Sequence, residues 1–168
     1  MWRSLERLSQ LDRYLARGGG IVLLHSATIG NDQAELLAER TGIASYASPR
    51  TKYRHMPLEL NLVTTTDSPI TRGLPATLHL LDEPYWPLTG DSKKVEVLAT
   101  ATVDDEARPL MWTYQKGKGR VFASVLGHYT WTLDDPLFRI LVLRGIAWAA
   151  GADPAALEQL AITEAVLK

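Results

Sequence analysis

The segment Gly18-Gly19-Gly20-Ile21-Val22-Leu23-Leu24-His25-Ser26 decides how the rest of the chain is read. Three glycines halt any preceding helix, and four apolar residues then run unbroken before the chain turns polar at His25. So short an apolar run is the pattern of a strand buried on both faces of a parallel sheet. Upstream, residues 4–17 place Leu5, Leu8, Leu11, Leu15 and Tyr14 on one stripe with charged residues elsewhere, which predicts an amphipathic helix. The glycines lie between helix and strand, the reverse of the order in which glycine loops cradle phosphate. They therefore read as a chain turn and not as a nucleotide site.

Downstream, Asn31 or Asp32 is expected to cap a helix through Arg40, with Gly42 as its stop. Ile43 to Pro57 shows no periodicity and reads as a long surface loop. Strands are expected at Leu58–Thr64, Thr77–Leu81, Val95–Ala101, Leu110–Tyr114 and Arg120–Leu126. Gly117-Lys118-Gly119 turns the chain into the last of them, and Lys116 to Arg120 reads as a solvated hairpin. Helical spacing returns over Pro136–Ala150 with Gly151 as the stop, and a short final helix is expected over Pro154–Val166. These elements predict a three-layer α/β domain spanning 1–168, with its core over about 4–151 and a helical extension over 152–168. The chain opens on a helix where a doubly wound sheet usually opens on a strand, so either an unusual fold or a missing N-terminal βαβ portion is expected.

Of 168 residues, 46% are hydrophobic and 22% charged, enough for one core in one domain. With 18 Lys+Arg against 19 Asp+Glu and no block of like charge, no nucleic-acid partner is expected. The most apolar segment, Leu137–Ala150, is short and broken by Arg139 and Arg144, so no membrane span is expected either. The N-terminus lacks the apolar stretch of a signal peptide, which favours the cytoplasm. Cysteine is absent, which removes disulfides, thiolate metal sites and a thiol nucleophile. Any chemistry falls to the carboxylates and to His25, His55, His79 and His128.

In open α/β sheets ligands bind beyond the carboxyl ends of strands, so the residues just after apolar runs carry most weight. His25-Ser26 and Gly127-His128 follow two such runs. Two imidazoles on one sheet edge suit an acid–base or a metal pair, though a histidine capping a strand is the commoner finding. Asp82-Glu83-Pro84-Tyr85 ends a third strand, where Glu83 can act as base or ligand and Tyr85 can orient it; the same tetrapeptide also makes an ordinary turn. Trp112 and Trp148 read as core, whereas Trp86 and Trp131, in polar loops beside Glu83 and His128, read as a sugar-stacking wall.

Several segments together resemble the ThuA-like (trehalose-utilisation) family of the class I glutamine amidotransferase-like superfamily. They are Gly18–His25, Ser68-Pro69-Ile70-Thr71-Arg72-Gly73-Leu74-Pro75, Asp82-Glu83-Pro84-Tyr85, Trp112-Thr113-Tyr114 with Gly117–Phe122, Leu126-Gly127-His128, and Leu143–Gly151. They occur in the family's order between Tyr14 and Gly151. The resemblance implies a flavodoxin-like sandwich, N-terminally truncated because the family's first strands precede the glycine turn. It also puts His25 or Ser26 near the elbow where amidotransferases hold their cysteine, and His128 near their histidine. The missing cysteine excludes thiol-based glutamine hydrolysis. Ser68 stands where relatives usually have histidine, and Ala27–Pro57 departs from the family's Trp-rich and Phe-containing segment.

The resulting expectation is a protein of carbohydrate metabolism that acts on or binds a disaccharide or keto-sugar. His25, Glu83 and His128 are its catalytic candidates, and Ser26, Tyr85, Trp86 and Trp131 its substrate contacts. A divalent metal is left open, with His25 and His128 as candidate ligands. Two alternatives stand beside it. One is a non-catalytic sugar-binding or interaction domain of a larger protein, where an open sheet edge pairs with a second copy or with the missing segment. The other is a Ser26–His128 hydrolase, although Leu24 and Thr28 occupy the glycine places of a nucleophile elbow.

Overall fold

A computed structural model describes residue 2 and residues 4–52, 56–65 and 67–157. Helix α1 (Leu5–Ala16) is capped by Ser4, whose hydroxyl accepts from the Arg7 amide, and it buries Leu8, Leu11 and Leu15. Leu5 and Tyr14 of the expected stripe are exposed. The Tyr14 hydroxyl instead donates to the Gly20 carbonyl and ties the helix to the turn after it. Gly18 has φ +93°, a conformation that favours glycine. Gly19 and Gly20 are required by close approach: a Cβ would strike the Tyr14 ring at one and the Ala149 carbonyl at the other.

The next elements are β1 (Gly20–Leu24), α2 (Ala34–Thr41), β2 (Ile43–Ser45), β3 (Leu58–Thr64), β4 (Thr77–Asp82) and β5 (Leu88–Gly90). Then follow β6 (Glu96–Val103), β7 (Glu106–Lys116), β8 (Gly119–Ser124), α3 (Thr130–Asp134) and α4 (Pro136–Ala150). Six strands form one sheet in the order β1-β8-β7-β6-β3-β4, and β2 pairs with β5 in a second, two-stranded sheet. Within the six-stranded sheet, β1 and β8 pair in parallel and the other neighbours among the described residues are antiparallel. The run Ile21–Leu24 is therefore a parallel strand as expected. It lies at the sheet's edge, however, and only Leu23 of β1 is fully buried.

Alternation along β8 shows the layering. A Cβ on Gly119 would meet Leu15 of α1, whereas Gly145 of α4 lies against the Phe122 ring. Residues 119 and 122 point to opposite faces of a strand. Helices α1 and α4 thus cover opposite faces of the sheet, and the domain is a three-layer α/β sandwich. Its core includes Trp112, Phe122 and Phe138, all fully buried. The Trp112 indole donates to the Thr41 carbonyl at the end of α2.

Several sequence expectations are corrected. The stretch Ile43–Pro57 is not wholly a surface loop, because Ile43, Ala44 and Ser45 are buried in β2. Neither Asn31 nor Asp32 caps α2: both lie in a short 3-10 turn before it, and Asn31 has φ +51°. Gly42, at φ +84°, does end it. Helix α3 and strand β5 are additional elements too short to show a period. Pro154–Leu157 forms a 3-10 turn, and the rest of the expected final helix lies outside the described residues. Among the described residues, no helix is long and apolar enough to cross a membrane.

The curl of the sheet matters most for function. Strands β1, β8 and β4 run in the same direction, but three strands separate β8 from β4. The β6–β7 ladder shifts register around Ala99 and Thr100, opposite Pro109, which has no amide to donate. Such irregularities bend a sheet. The buried Asp82 carboxylate at the end of β4 closes the curl by accepting from the amides of Gly127 (2.6 Å) and His128 (3.1 Å) just beyond β8.

Candidate active site

His25 follows β1 as the first residue of a short 3-10 turn, in an unusual conformation with φ +48° after an extended Leu24. A non-glycine residue there costs on the order of 1–3 kcal/mol and is kept only where its surroundings enforce it. Two contacts do so. The Thr28 hydroxyl donates to the His25 carbonyl at 2.7 Å, and the His25 ring lies 3.1 Å through Nδ1 from the Val125 carbonyl. A carbonyl only accepts, so Nδ1 carries the proton and Nε2 of the neutral ring is left as an acceptor. Burial holds the His25 pKa below the ordinary imidazole value, and the nearby His128 adds to this. The Val125 bond and the carboxylates of Asp82 and Glu83 pull the other way.

Two groups converge on that one lone pair. The Tyr85 hydroxyl and His128 Nδ1 each lie 2.7 Å from His25 Nε2. Glu83 completes the cluster: its Oε1 is 3.9 Å from His25 Nε2 and 3.7 Å from His128 Nδ1. Its side chain is 2% exposed, and Oε2 has no hydrogen-bond partner among the described residues. Such a group is expensive to bury unless something positive or donating meets it. Exposure rises outward, with the His128 side chain at 39%. Solvent therefore reaches the centre from the His128 side.

Asp82 builds this geometry. Besides the two amides of the 127–128 turn, its carboxylate accepts from the Glu83 amide at 2.8 Å. One buried side chain thus fixes the backbone of two of the three central residues. Asp82 was visible in the sequence as the first residue of Asp-Glu-Pro-Tyr, but no local pattern shows that it reaches 45 residues along the chain.

The aromatic residues form a continuous path from the interior to the surface. Tyr85 stacks on His25 (4.5 Å between centroids), His25 meets His128 edge-on, His128 meets Tyr129 edge-on, and Tyr129 stacks on Trp131 at 4.3 Å and 9°. Trp131 is 49% exposed, held by its indole N–H donating to the Leu81 carbonyl. Tyr129 was not among the expected contacts. Its phenol is pushed up in pKa by desolvation and by the negative charges of Glu83 and Asp82.

The structure thus brings His25, Glu83, His128 and Tyr85 into contact and sets Trp131 beside them through Tyr129. It separates the others. Ser26 is exposed, and His25, not Ser26, takes the strained elbow position; among the described residues Ser26 has no hydrogen bond to His128. Trp86, expected in a binding wall, is 2% exposed and packed in the core, because the polar loop around it folds inward. Its backbone carbonyl accepts from the Lys52 amide. His79 points outward from β4, and His55 lies outside the described residues.

The ThuA family, described as trehalose utilisation, matches residues 4–149. No curated protein matches the sequence. Among solved structures, a ThuA-like protein from Parabacteroides merdae is 24% identical with a TM-score of 0.71, over 89% of this chain and 67% of its own. A β-galactosidase from Bacillus circulans sp. alkalophilus is 16% identical with a TM-score of 0.56, over 88% of this chain and 21% of its own. A cytoplasmic protein from Salmonella typhimurium is 20% identical with a TM-score of 0.54, over 85% of this chain and 58% of its own. At these identities the likenesses concern the fold. The chain spans about two thirds of the Parabacteroides protein and about a fifth of the galactosidase.

Proposed function

Because the chain belongs to the ThuA trehalose-utilisation family, we propose that it acts on a carbohydrate, a disaccharide or a keto-sugar, at the cluster of His25, Glu83 and His128. One observation carries this reading. Two imidazoles and a buried carboxylate meet at a single solvent-reached point, next to the stacked, partly exposed pair Tyr129 and Trp131. Exposed indole faces stack on the apolar faces of sugar rings, and the neighbouring imidazoles supply acid–base groups for a sugar hydroxyl or a carbon beside a carbonyl. His128, the most exposed of the three, meets the sugar. Behind it, the Glu83 carboxylate balances the positive charge that the imidazole gains on taking a proton, and His25 Nε2 lies within hydrogen-bond distance of its Nδ1.

The test is turnover. The protein is incubated with trehalose, other disaccharides and their keto forms, and products are followed by NMR. Glu83→Gln and His128→Ala are each expected to lower the rate at least about 100-fold while the melt stays cooperative, in the range for losing a general acid or base. Unchanged turnover in both variants, or a panel in which the intact protein neither binds nor alters any sugar, removes the reading. A second reading, binding without catalysis, has one observation in its favour. Grooves of about 580, 460 and 290 Å³ lie elsewhere on the surface, and none includes the cluster. Saturable sugar binding without turnover would select it.

A further inference from the structure

The proposed reading needs positive charge between His25, His128 and Glu83, and a shared proton would suffice for that. We propose instead that this point is a binding site for one divalent transition cation, held by His25 Nε2, His128 Nδ1 and the Glu83 carboxylate.

Three observations converge on this. First, the three donor atoms all lie within 4.8 Å of one another. Donors about 2.0–2.2 Å from a common cation lie roughly 3–3.5 Å apart. The observed edges of 2.7, 3.7 and 3.9 Å bracket that span, so small side-chain shifts equalise them. Second, the lone pair of His25 is already aimed, and the backbones of the other two residues are fixed. The Val125 carbonyl holds the His25 proton on Nδ1 and leaves Nε2 free to ligate, which is the outer-shell arrangement that metal-bound histidines share. Asp82 fixes the backbones of both Glu83 and His128 through their amides. Third, Glu83 Oε2 is fully enclosed and has no hydrogen-bond partner among the described residues. Oε1 of the same carboxylate faces the two imidazoles, and a cation there gives the buried charge the positive partner it lacks.

The donor set indicates the class of ion. Two imidazole nitrogens with one carboxylate suit Zn²⁺, Fe²⁺, Mn²⁺, Co²⁺ or Ni²⁺, and with three protein ligands leave positions open for water or substrate. Mg²⁺ and Ca²⁺ prefer all-oxygen shells. When bound, such an ion supplies Lewis acidity toward a sugar carbonyl or hydroxyl. The Tyr85 hydroxyl, 2.7 Å from His25 Nε2, borders this point.

This inference deepens the reading of the same site, and its test contains no sugar, so the two fail separately. The chelator-stripped protein is titrated with Zn²⁺ and Co²⁺ alone. Retained metal is counted by elemental analysis after gel filtration, the Co²⁺ visible absorption is recorded, and melting is followed in parallel. Expected are one equivalent of metal, a d–d absorption spectrum of nitrogen–oxygen coordination, a raised melting temperature, and no such rise with Mg²⁺ or Ca²⁺. His128→Ala is expected to weaken binding at least about 100-fold and Glu83→Gln at least about 10-fold, while His79→Ala leaves it unchanged. A cooperatively folded protein that retains no metal would leave the proton as the shared charge and overturn the proposal. Equal binding by the intact protein, His128→Ala and Glu83→Gln would place the metal elsewhere and overturn it as well.

Discussion

Removing the Asp82 carboxylate tests whether the curl of the sheet is held where the account says it is. In the folded chain Asp82 is fully buried and accepts three backbone amides: Glu83 and His128 through Oδ1, and Gly127 through Oδ2. Hydrogen bonds to a charged acceptor contribute about 1.5–3 kcal/mol each, and a buried amide left without a partner costs about 1–3 kcal/mol. Asp82→Ala removes all three at once. Allowing for the desolvation that the carboxylate no longer suffers, the net loss is about 4 kcal/mol, which for a chain of this size lowers Tm by about 8–16 °C. Asp82→Asn keeps an oxygen at the Oδ1 place, retaining the Glu83 and His128 bonds, and sets an NH2 against the Gly127 amide. Its cost is about 2 kcal/mol, or about 4–8 °C. The assay is thermal unfolding by circular dichroism, with amide exchange at Gly127 and His128 read by NMR. Asp82→Ala melting within about 2 °C of the parent, or no more destabilised than Asp82→Asn, would refute the reasoning.

Other outcomes follow from the same structure. Trp112→Phe should destabilise more than Trp86→Phe by about 1–2 kcal/mol on denaturant melts, because the Trp112 N–H satisfies the Thr41 carbonyl whereas the buried Trp86 N–H has no partner among the described residues. Trp131→Ala should cost no more than about 1 kcal/mol, and should weaken sugar binding in a titration if the exposed stack is the sugar's platform. Gly145→Ala forces a Cβ to about 2.5 Å from the fully buried Phe122 ring. With neither helix nor sheet free to move, it should cost about 1–3 kcal/mol or more and lower the yield of folded protein. In chelator, the depressed His25 pKa means that the unfolded chain binds more protons than the folded one. Its contribution to stability is therefore present above the unfolded value of 6.5 and is lost as pH falls from there through the folded pKa. His25→Asn should flatten that part of a stability–pH curve.

Two kinds of information differ in how far they can be read without the fold. His25 and His128 are legible because each follows an apolar run, and the ends of parallel strands are where a sheet presents side chains together. The helix stops at Gly42 and Gly151 are legible because a left-handed turn after an apolar periodic stretch favours glycine. What stays hidden depends on contacts distant in sequence. Asp82 looks like any acidic residue at a turn until the curl brings β4 to the end of β8. Trp86 sits among polar neighbours in sequence and in the core in space, since the chain on both sides folds inward over it. Tyr129 is hidden for another reason: its contacts with His128 and Trp131 are local, but the turn after β8 has no period that shows which way its ring faces. The three-residue strands β2 and β5 are too short to show alternation, and their pairing joins segments more than 40 residues apart.

The central claim is that a sugar binds at the point shared by His25, Glu83 and His128. Differential scanning fluorimetry of the intact protein against disaccharides and keto-sugars, repeated on His128→Ala and Glu83→Gln, addresses it most directly. A sugar at about 100 times its Kd should stabilise the native state by about 2.7 kcal/mol, raising Tm by about 5–11 °C. That rise should shrink to within about 1 °C in both variants. A cooperative melt that no sugar shifts, or one shifted equally in all three proteins, would contradict the account.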